Sequence, residues 1–258
     1  DLDIIAIPWN PMRNINNVSG RWVNEMHWRG QMLSHIPGQV MRAIDGPSND
    51  EMEVNFGKTR IIYYNHHECH AANAFFLSGF SKADILTIDG HGEDETCFLG
   101  AGEGKKIIRN KSVPYPHSLG LFYGTFTDYL GFKPDVDEWK VMALSSFSKV
   151  ENQYDEKISS LITLTDEGFE LDLTFFDYYL FDRRPHFYSK KLIDLLGPAR
   201  KKDGDLNEKH YQIAGAMQRI FCKAAEHLMK ITKSISGNDN LVLSGGAAMN
   251  CVFNGYLD

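Results

Sequence analysis

Three histidines lie within five residues in the stretch NHHECHAA, at positions 65–72. On a helix, His66 and His70 are four residues apart and share one face, whereas His67 points elsewhere. Two imidazoles on one face can bind a borderline metal ion such as zinc or iron. The alternative is an ordinary helix start, at which the histidines only cap the helix and form hydrogen bonds. The rest of the chain must decide between these two interpretations.

The residues that flank the histidines predict the elements that position them. The run TRIIYY at 59–64 is rich in β-branched and aromatic residues and predicts a strand. The run AANAFFL at 71–77 favours a helix, which Ser78 and Gly79 should end. We therefore expect the histidines at a strand-to-helix junction.

A candidate acidic ligand follows the next predicted strand. The run ADILTID at 83–89 predicts a buried strand that ends at Asp89 in a glycine-rich turn, and an apolar run resumes at position 97. This pattern predicts a hairpin with an acid at its mouth. Gly90 and Gly92 would let backbone N–H groups approach a ligand closely. An ordinary hairpin turn is the alternative.

Two adjacent glycines follow the last predicted strand, at 240–243. Gly245 and Gly246 stand between that strand and a predicted helix, where unhindered N–H groups suit a nucleotide phosphate. The other predicted elements complete an α/β pattern. They are a buried strand at 3–7, helical spacing at 21–43, a loop at 45–50, a helix at 119–130 that Ser118 caps, a polar loop at 135–140, mixed patterns of an insertion or subdomain surface at 150–200, and a long amphipathic helix at 208–234.

Length and composition exclude several classes of protein. The chain has 258 residues, of which 43% are hydrophobic, enough for one large domain or two lobes. A net charge of −7 argues against nucleic acid as the main partner. No apolar run reaches the roughly 18 residues of a membrane span. The first residues lack the basic region of a signal peptide and resemble the middle of a longer chain. Four widely spaced cysteines indicate reduced thiols, and hence a cytoplasmic enzyme or binding domain: Cys69, Cys97, Cys222 and Cys251.

Four segments together resemble one family, the O-carbamoyltransferases of the nodulation and antibiotic-biosynthesis type. A fifth segment, EWKVMAL at 138–144, matches the family's Glu-x-Lys-Val-Met-Gly-Leu-Ala run imperfectly, since Ala143 replaces a glycine and SSFS at 145–148 replaces Ala-Pro-Tyr-Gly. The four segments are NHHECHAA at 65–72, TIDGHGE at 87–93, PHSLGLFY at 116–123 and LSGGAAMNC at 243–251.

The resemblance implies an α/β fold of the two-lobed type shared by actin, sugar kinases and heat-shock ATPases, with nucleotide between the lobes. Residues 1–82 would form part of the first lobe, and residues 83–258 the second lobe with an insertion around 150–200. The fold is expected to be incomplete at both ends. The family's opening strand pair and its C-terminal domain, which makes carbamoyl-adenylate, would lie outside these residues.

The resemblance also implies a metal site and a nucleotide site. The chain is similar to tRNA threonylcarbamoyl-transfer proteins, in which two histidines and two aspartates bind a metal that is often iron. Carried over, the ligands are His66, His70 and Asp89, with a fourth aspartate expected beyond Asp258. The metal is expected to be Fe²⁺, with Zn²⁺ or Mn²⁺ as alternatives. The nucleotide, ATP or carbamoyl-adenylate, is expected at Gly90, Gly245, Gly246 and Asn250.

Three further residues are candidates for catalysis. His67 or His117 could serve as general base, because an imidazole titrates near neutral pH. Lys140 could stabilise phosphate charge; the alternative is an exposed loop lysine.

The function implied by the resemblance is carbamoyl transfer in two steps. Carbamoyl phosphate and ATP give carbamoyl-adenylate, whose carbamoyl group passes to a hydroxyl of a small-molecule acceptor. The alternatives are an ATP-dependent kinase or ATPase of the same fold, and a non-catalytic scaffold that binds metal or nucleotide. We expect no nucleic-acid partner and no membrane association, leave homodimerisation open, and expect these residues alone to be inactive.

Overall fold

A computed structural model describes residues 3–10, 51–56, 59–183 and 185–257. The helix predicted at 21–43 and the loop predicted at 45–50 lie outside the described residues. The described part has an α/β fold, as predicted. Its strands are β1 (Ile4–Ile7), β2 (Glu51–Phe56), β3 (Thr59–Tyr64), β4 (Lys82–Ile88), β5 (Glu95–Glu103), β6 (Lys106–Pro114), β7 (Ile162–Thr165), β8 (Gly168–Leu171) and β9 (Leu241–Ser244).

Helices connect several of these strands. Short 3₁₀ turns supplement them at Leu173–Phe175, Tyr178–Arg183 and Ala247–Met249. The α-helices are α1 (His66–Ser78), α2 (Leu119–Tyr129), α3 (Glu138–Ser145), α4 (Asp155–Ser159), α5 (Lys190–Leu196), α6 (Glu208–Ser236) and α7 (Cys251–Asn254). In the described ranges, no helix is both long and apolar enough to cross a membrane.

The first sheet has the strand order β1-β3-β2, with β1 parallel and β2 antiparallel to β3. The strand predicted at 3–7 is present, but its predicted burial is wrong: Ile4 is 49% and Ile5 is 38% exposed. The reason is that, among the described strands, β1 lies at an edge of its sheet and pairs with β3 alone. An apolar run alone does not distinguish an edge strand from a central one.

The second sheet has the order β6-β5-β4-β9 and carries the predicted hairpin of β4 and β5. Strand β4 is buried from Ala83 to Ile88 and pairs in parallel with β9, so that Thr87 lies opposite Ser244. Because the carboxyl ends of parallel strands meet at the same edge, Asp89 and the glycine pair after β9 become neighbours.

Helix α1 ends at Gly79, as the sequence predicts, and it begins at His66, so the histidines of the predicted junction lie at its start. The side chain of Asn65 caps it by accepting a hydrogen bond from Glu68 N at 2.9 Å, and Gly79 ends it with a φ of 77°. Its buried side packs Ala71 and Phe75 against the second sheet. This packing joins α1 to the sheet that follows residue 82, whereas the division of the chain into two lobes at that position stays a prediction.

Helices α2 and α6 contribute many of the buried residues of the core on the other face of the second sheet. Ser118 Oγ accepts from Leu121 N at 3.0 Å and begins α2, as predicted. The predicted apolar face of α6 is buried, and residues 150–200 pack side chains of β8, α4 and α5 into the same core. The buried residues of α6 on this face are Ile213, Met217, Ile220, Phe221, Ala224, Leu228 and Ile231.

The prediction of a polar loop at 135–140 is wrong for its second half, because α3 begins at Glu138. Asp137 and Glu138 place negative charge at the helix N-terminus, where the helix dipole favours it. Lys140 therefore lies on a helix, and its Nζ pairs with Asp137 Oδ1 at 2.8 Å.

Candidate metal centre

The strand-to-helix junction and the β4–β5 turn bring three potential ligands together. His66 Nε2 and His70 Nε2 lie 3.1 Å apart, and they lie 3.1 and 2.8 Å respectively from Asp89 Oδ2. In the part of the chain that the structure describes, these three residues form a group that could hold a metal ion. The structure thus assembles the histidine pair with the acid of a second strand end.

The spacing of the three atoms fits one cation. Two ligand atoms that each lie about 2.1 Å from a metal are about 3.0 Å apart when they subtend a right angle. The observed separations of 2.8–3.1 Å match this value. Two imidazoles and one carboxylate on one face of an octahedron are the ligand set of non-haem Fe²⁺ sites, in which the other positions stay open.

The remaining ring nitrogens have partners that are compatible with the tautomers needed for metal binding. His66 Nδ1 lies 3.2 Å from the carbonyl oxygen of Pro8, which can only accept, so this nitrogen carries a proton. His70 Nδ1 lies 3.4 Å from Ser244 Oγ, which can accept in the same way. A proton on each Nδ1 leaves the lone pair of each Nε2 for the cation.

Asp89 uses its two oxygens differently. Oδ1 accepts backbone hydrogen bonds from Gly90 N at 2.7 Å and from Gly246 N at 3.2 Å, and Oδ2 faces the histidines. Burial opposes ionisation, but the hydrogen bonds from His66 and His70 outweigh it and hold the pKa of Asp89 well below its usual range. Burial lowers the pKa of His66, but the hydrogen bonds to Asp89 and to the carbonyl oxygen of Pro8, together with the nearby charges of Asp89 and Glu93, outweigh burial and raise the pKa. The site therefore favours positive charge, either a proton or a metal ion.

The glycine pair serves this carboxylate. Gly245 has a φ of 97°, and a Cβ at this position would overlap the carbonyl oxygen of Ile88, so the turn requires glycine. The N–H of Gly246 is directed at Asp89 instead of an open phosphate position. The predicted helix after the glycines is a 3₁₀ turn, Ala247–Met249, followed by the short α7. A nucleotide contact at Gly245 and Gly246 stays a prediction.

Asn250 is tied to its neighbours by its side-chain amide. It exchanges two hydrogen bonds with Gln218, at 3.0 and 3.1 Å, and its Oδ1 also accepts from Phe253 N at 2.9 Å. Asn250 therefore caps α7 and joins it to α6, while one side of the residue lines the cavity described below.

The three predicted catalytic residues are engaged elsewhere. His67 is buried, its Nδ1 lies 2.5 Å from Thr87 Oγ1, and burial lowers its pKa to about 3. His117 Nδ1 accepts from Leu171 N at 2.9 Å, and burial lowers the pKa of His117. Lys140 pairs with Asp137 on α3. The structure does not place any of the three among the described residues that line the cavity.

A cavity of about 410 Å³ adjoins the three ligands and shares Asp89 with them. Its wall combines carboxylates with aromatic and thioether side chains. Glu138 Oε1 accepts from Asp135 N at 2.7 Å, and burial raises the pKa of Glu138. The described residues that line the cavity are Asp89, Gly90, Gly120, Tyr123, Asp135, Glu138, Trp139, Met142, Phe221, Gly246, Ala247, Met249 and Asn250.

Several residues at the site were not recognised as site residues from the sequence. Glu138 and Trp139 stand in EWKVMAL, the imperfectly matching segment, and line the cavity. Ser244 stands directly before the glycine pair and contacts His70. Glu93 closes the motif TIDGHGE and contacts the first turn of α1. The quoted motifs contain all four of these residues, but the spacing of the residues along the chain did not predict which groups they contact.

A family model described as the carbamoyltransferase N-terminus matches residues 11–258. The chain belongs to this family. It is 36% identical over 200 residues to an uncharacterised protein, sll1178, of Synechocystis, covering 76% of this chain and 32% of that protein.

Two nodulation proteins are also similar to this carbamoyltransferase-family chain. Nodulation protein NolO of Bradyrhizobium diazoefficiens is 31% identical over 200 residues, which cover 75% of this chain and 33% of that protein. Nodulation protein NolNO of Sinorhizobium fredii is 29% identical over 229 residues, which cover 86% of this chain and 31% of that protein. The chain thus spans about a third of the length of these relatives.

Proposed function

We propose that this chain is the metal- and nucleotide-binding part of an enzyme that transfers a carbamoyl group to a hydroxyl of a small-molecule acceptor. The observation that carries the proposal is the position of Asp89, which faces two histidines with one oxygen and lines the cavity beside them. A cation and a substrate could therefore meet at one residue. Membership of the carbamoyltransferase family supports this reaction class.

His66, His70 and Asp89 would hold the metal, for which the ligand set favours Fe²⁺ over Zn²⁺ or Mn²⁺. When bound, the metal supplies a Lewis acid for the carbamoyl oxygen, on which negative charge develops during acyl transfer. The protein holds the ligands in place before reaction: Gly90 N and Gly246 N fix one oxygen of Asp89, so its other oxygen keeps its direction.

The cavity would bind the adenosine part of carbamoyl-adenylate. Carboxylates such as Asp135 and Glu138 can accept hydrogen bonds from ribose hydroxyls, as acidic residues do in dinucleotide sites. Tyr123, Trp139 and Phe221 line the same cavity and offer aromatic surface to a base. The cavity volume of about 410 Å³ falls in the range of small-molecule sites.

The proposed chemistry has two steps. Carbamoyl phosphate, water and ATP first give carbamoyl-adenylate, with release of phosphate and pyrophosphate. In the second step, the acceptor hydroxyl oxygen forms a bond to the carbamoyl carbon, the bond from that carbon to the AMP oxygen breaks, and AMP leaves with the electron pair. The hydroxyl proton passes to a base that we do not assign to His67 or His117, because both rings are hydrogen-bonded inside the fold.

Radiolabelled carbamoyl phosphate, ATP and a panel of hydroxyl compounds, supplied to the full-length protein, test this proposal. We expect one divalent ion per chain and transfer of label to an acceptor with release of AMP. His66→Ala and His70→Ala should each lose the ion and the transfer, whereas Glu103→Gln, on the exposed β5–β6 hairpin, should keep both. Undiminished transfer in the histidine variants would contradict the proposal, and phosphate transfer from ATP without carbamoyl phosphate would favour a kinase.

A further inference from the structure

The carboxylate of Glu93 is buried at the N-terminus of α1 and is surrounded by hydrogen-bond donors. The residue is only 4% exposed. Oε1 accepts from Asn10 N at 2.6 Å, both oxygens lie 3.1 Å from His66 N, and Oε2 accepts from Asn65 Nδ2 at 3.2 Å. Because each of these partners donates, both oxygens must accept. A carboxylate meets this requirement, and an amide of the same shape does not.

The contact with His66 satisfies a backbone group that the helix itself cannot. His66 is the first residue of α1, and the N–H groups of the first turn have no partner within a helix. A negative charge at this end is also favoured by the helix dipole. Burying a carboxylate is costly unless it is well hydrogen-bonded, so its position depends on all of these donors together.

The loop 89–93 thereby holds His66 at two points. Asp89 Oδ2 faces the ring at Nε2, and Glu93 holds the backbone N–H of the same residue. One loop therefore fixes both the position of the His66 backbone and the direction of Nε2, the ring nitrogen that faces the proposed metal position.

The segment 8–10, which follows β1, meets His66 from the other side. The carbonyl oxygen of Pro8 lies 3.2 Å from His66 Nδ1, and the ring centroids of Trp9 and His66 are 5.0 Å apart. The third residue of the segment, Asn10, donates its N–H to Glu93. Each of the three residues thus contacts either His66 or the carboxylate that holds it.

We propose that Glu93 is a positioning residue that clamps the segment 8–10 onto His66 and so sets the geometry of the metal cluster. The clamp joins the strand β1 of the first sheet to the β4–β5 turn of the second. It makes the affinity of the cluster for a metal depend on the position of the segment 8–10. This inference rests on the proposed metal-dependent function for its consequence, but the clamp itself can be measured without metal.

The first measurement is hydrogen exchange of the full-length protein without added metal. In the wild type, the amides of Asn10 and His66 should be protected, although the helix gives His66 N no partner. Glu93→Gln should raise the exchange rate of both amides at least tenfold and leave the first turn of α2 unchanged. The wild type alone already tests the clamp, because exchange of both amides at the rate of free peptide would overturn it.

The second measurement is titration with Co²⁺, an ion with a visible spectrum that reports the ligand geometry. Glu93→Gln should weaken Co²⁺ binding at least tenfold and alter the spectrum, and the control Glu103→Gln should do neither. Unchanged exchange and unchanged Co²⁺ binding in Glu93→Gln would overturn the clamp and leave the proposed function intact. If the wild type binds no metal, the proposed function is overturned instead. The hydrogen-exchange rates of Asn10 and His66 alone would then test the clamp.

Discussion

Gly246 donates its backbone N–H to Asp89 Oδ1 at 3.2 Å, across a separation of 157 residues. The contact exists because β9 and β4 run in parallel and end side by side. It makes the turn after β9 part of the support of a proposed metal ligand. Ser244, two residues earlier, contacts His70, so one turn touches two of the three proposed ligands.

Gly245→Ala should destabilise the protein and weaken metal binding. The residue has a φ of 97°, and an added Cβ would overlap Ile88 O. Backbone strain of this kind costs about 1–3 kcal/mol, to which the steric overlap adds. Urea unfolding measures the loss of stability. Gly90→Ala is the control for stability, because its Cβ would meet nothing within 4 Å; equal free energies of unfolding for the two variants would contradict the prediction.

Ser244→Ala should weaken metal binding about tenfold, the usual effect of removing a partner of a ligating histidine. The change removes the acceptor at His70 Nδ1 and frees the ring to rotate or change tautomer. Competition with a chromophoric chelator measures the affinity, and Ser244→Thr should restore it because the hydroxyl returns. Ser146→Ala removes a hydroxyl that bonds only within its own helix turn, to Ala143 O, and should have no effect. An affinity as high in Ser244→Ala as in Ser146→Ala would count against this role.

Glu138→Gln should weaken ATP binding in the full-length protein about tenfold, since a hydrogen bond to a charged group contributes about 1.5–3 kcal/mol. The carboxylate lines the cavity and accepts from Asp135 N through one oxygen. Isothermal titration calorimetry with ATP measures the effect. Glu170→Gln, at an exposed position of β8, is the control. If both variants bind ATP as the wild type does, the nucleotide does not use Glu138.

Asp155→Asn should lower the free energy of unfolding at neutral pH and make that free energy depend less on pH in the acid range. Burial raises the pKa of Asp155, but its hydrogen bonds with Arg219 and Asn152 outweigh this and the pKa is lowered. The stabilisation is therefore fully present above the unfolded pKa of about 4 and is lost as the pH falls through the lower folded value.

The expected loss for Asp155→Asn at pH 7 is about 1 kcal/mol, because the pair with Arg219 is partly open to solvent. Unfolding in urea at pH 7 and at pH 3 measures it, and the difference from wild type should shrink at the lower pH. Glu156→Gln, in the same first turn of α4, is the matched control. An equal difference from wild type at both pH values would show that the charge of Asp155 is not involved.

Local chemistry in the sequence was sufficient for the elements that carry the site. Gly79 was predicted to end α1 because a left-handed C-terminal residue acts within a few positions of the helix end. The apolar period of α6 predicted its buried face for the same reason. The spacing of four residues between His66 and His70 likewise predicted that they share one face of the helix. Asp89 joined them in the prediction only through the family resemblance.

Tertiary structure decided which polar groups are available for chemistry. His66 and His67 are adjacent and chemically identical, yet one faces Asp89 and the other is buried against Thr87. The N–H of Gly246 donates to Asp89, and the side-chain amide of Asn250 is hydrogen-bonded to Gln218. A hydrogen-bonding group binds the partner that the whole fold brings within about 3 Å. In these contacts the partner lies between 20 and 157 positions away. Helix and strand propensities act over a few residues, so they could place the donors and acceptors along the chain but not pair them.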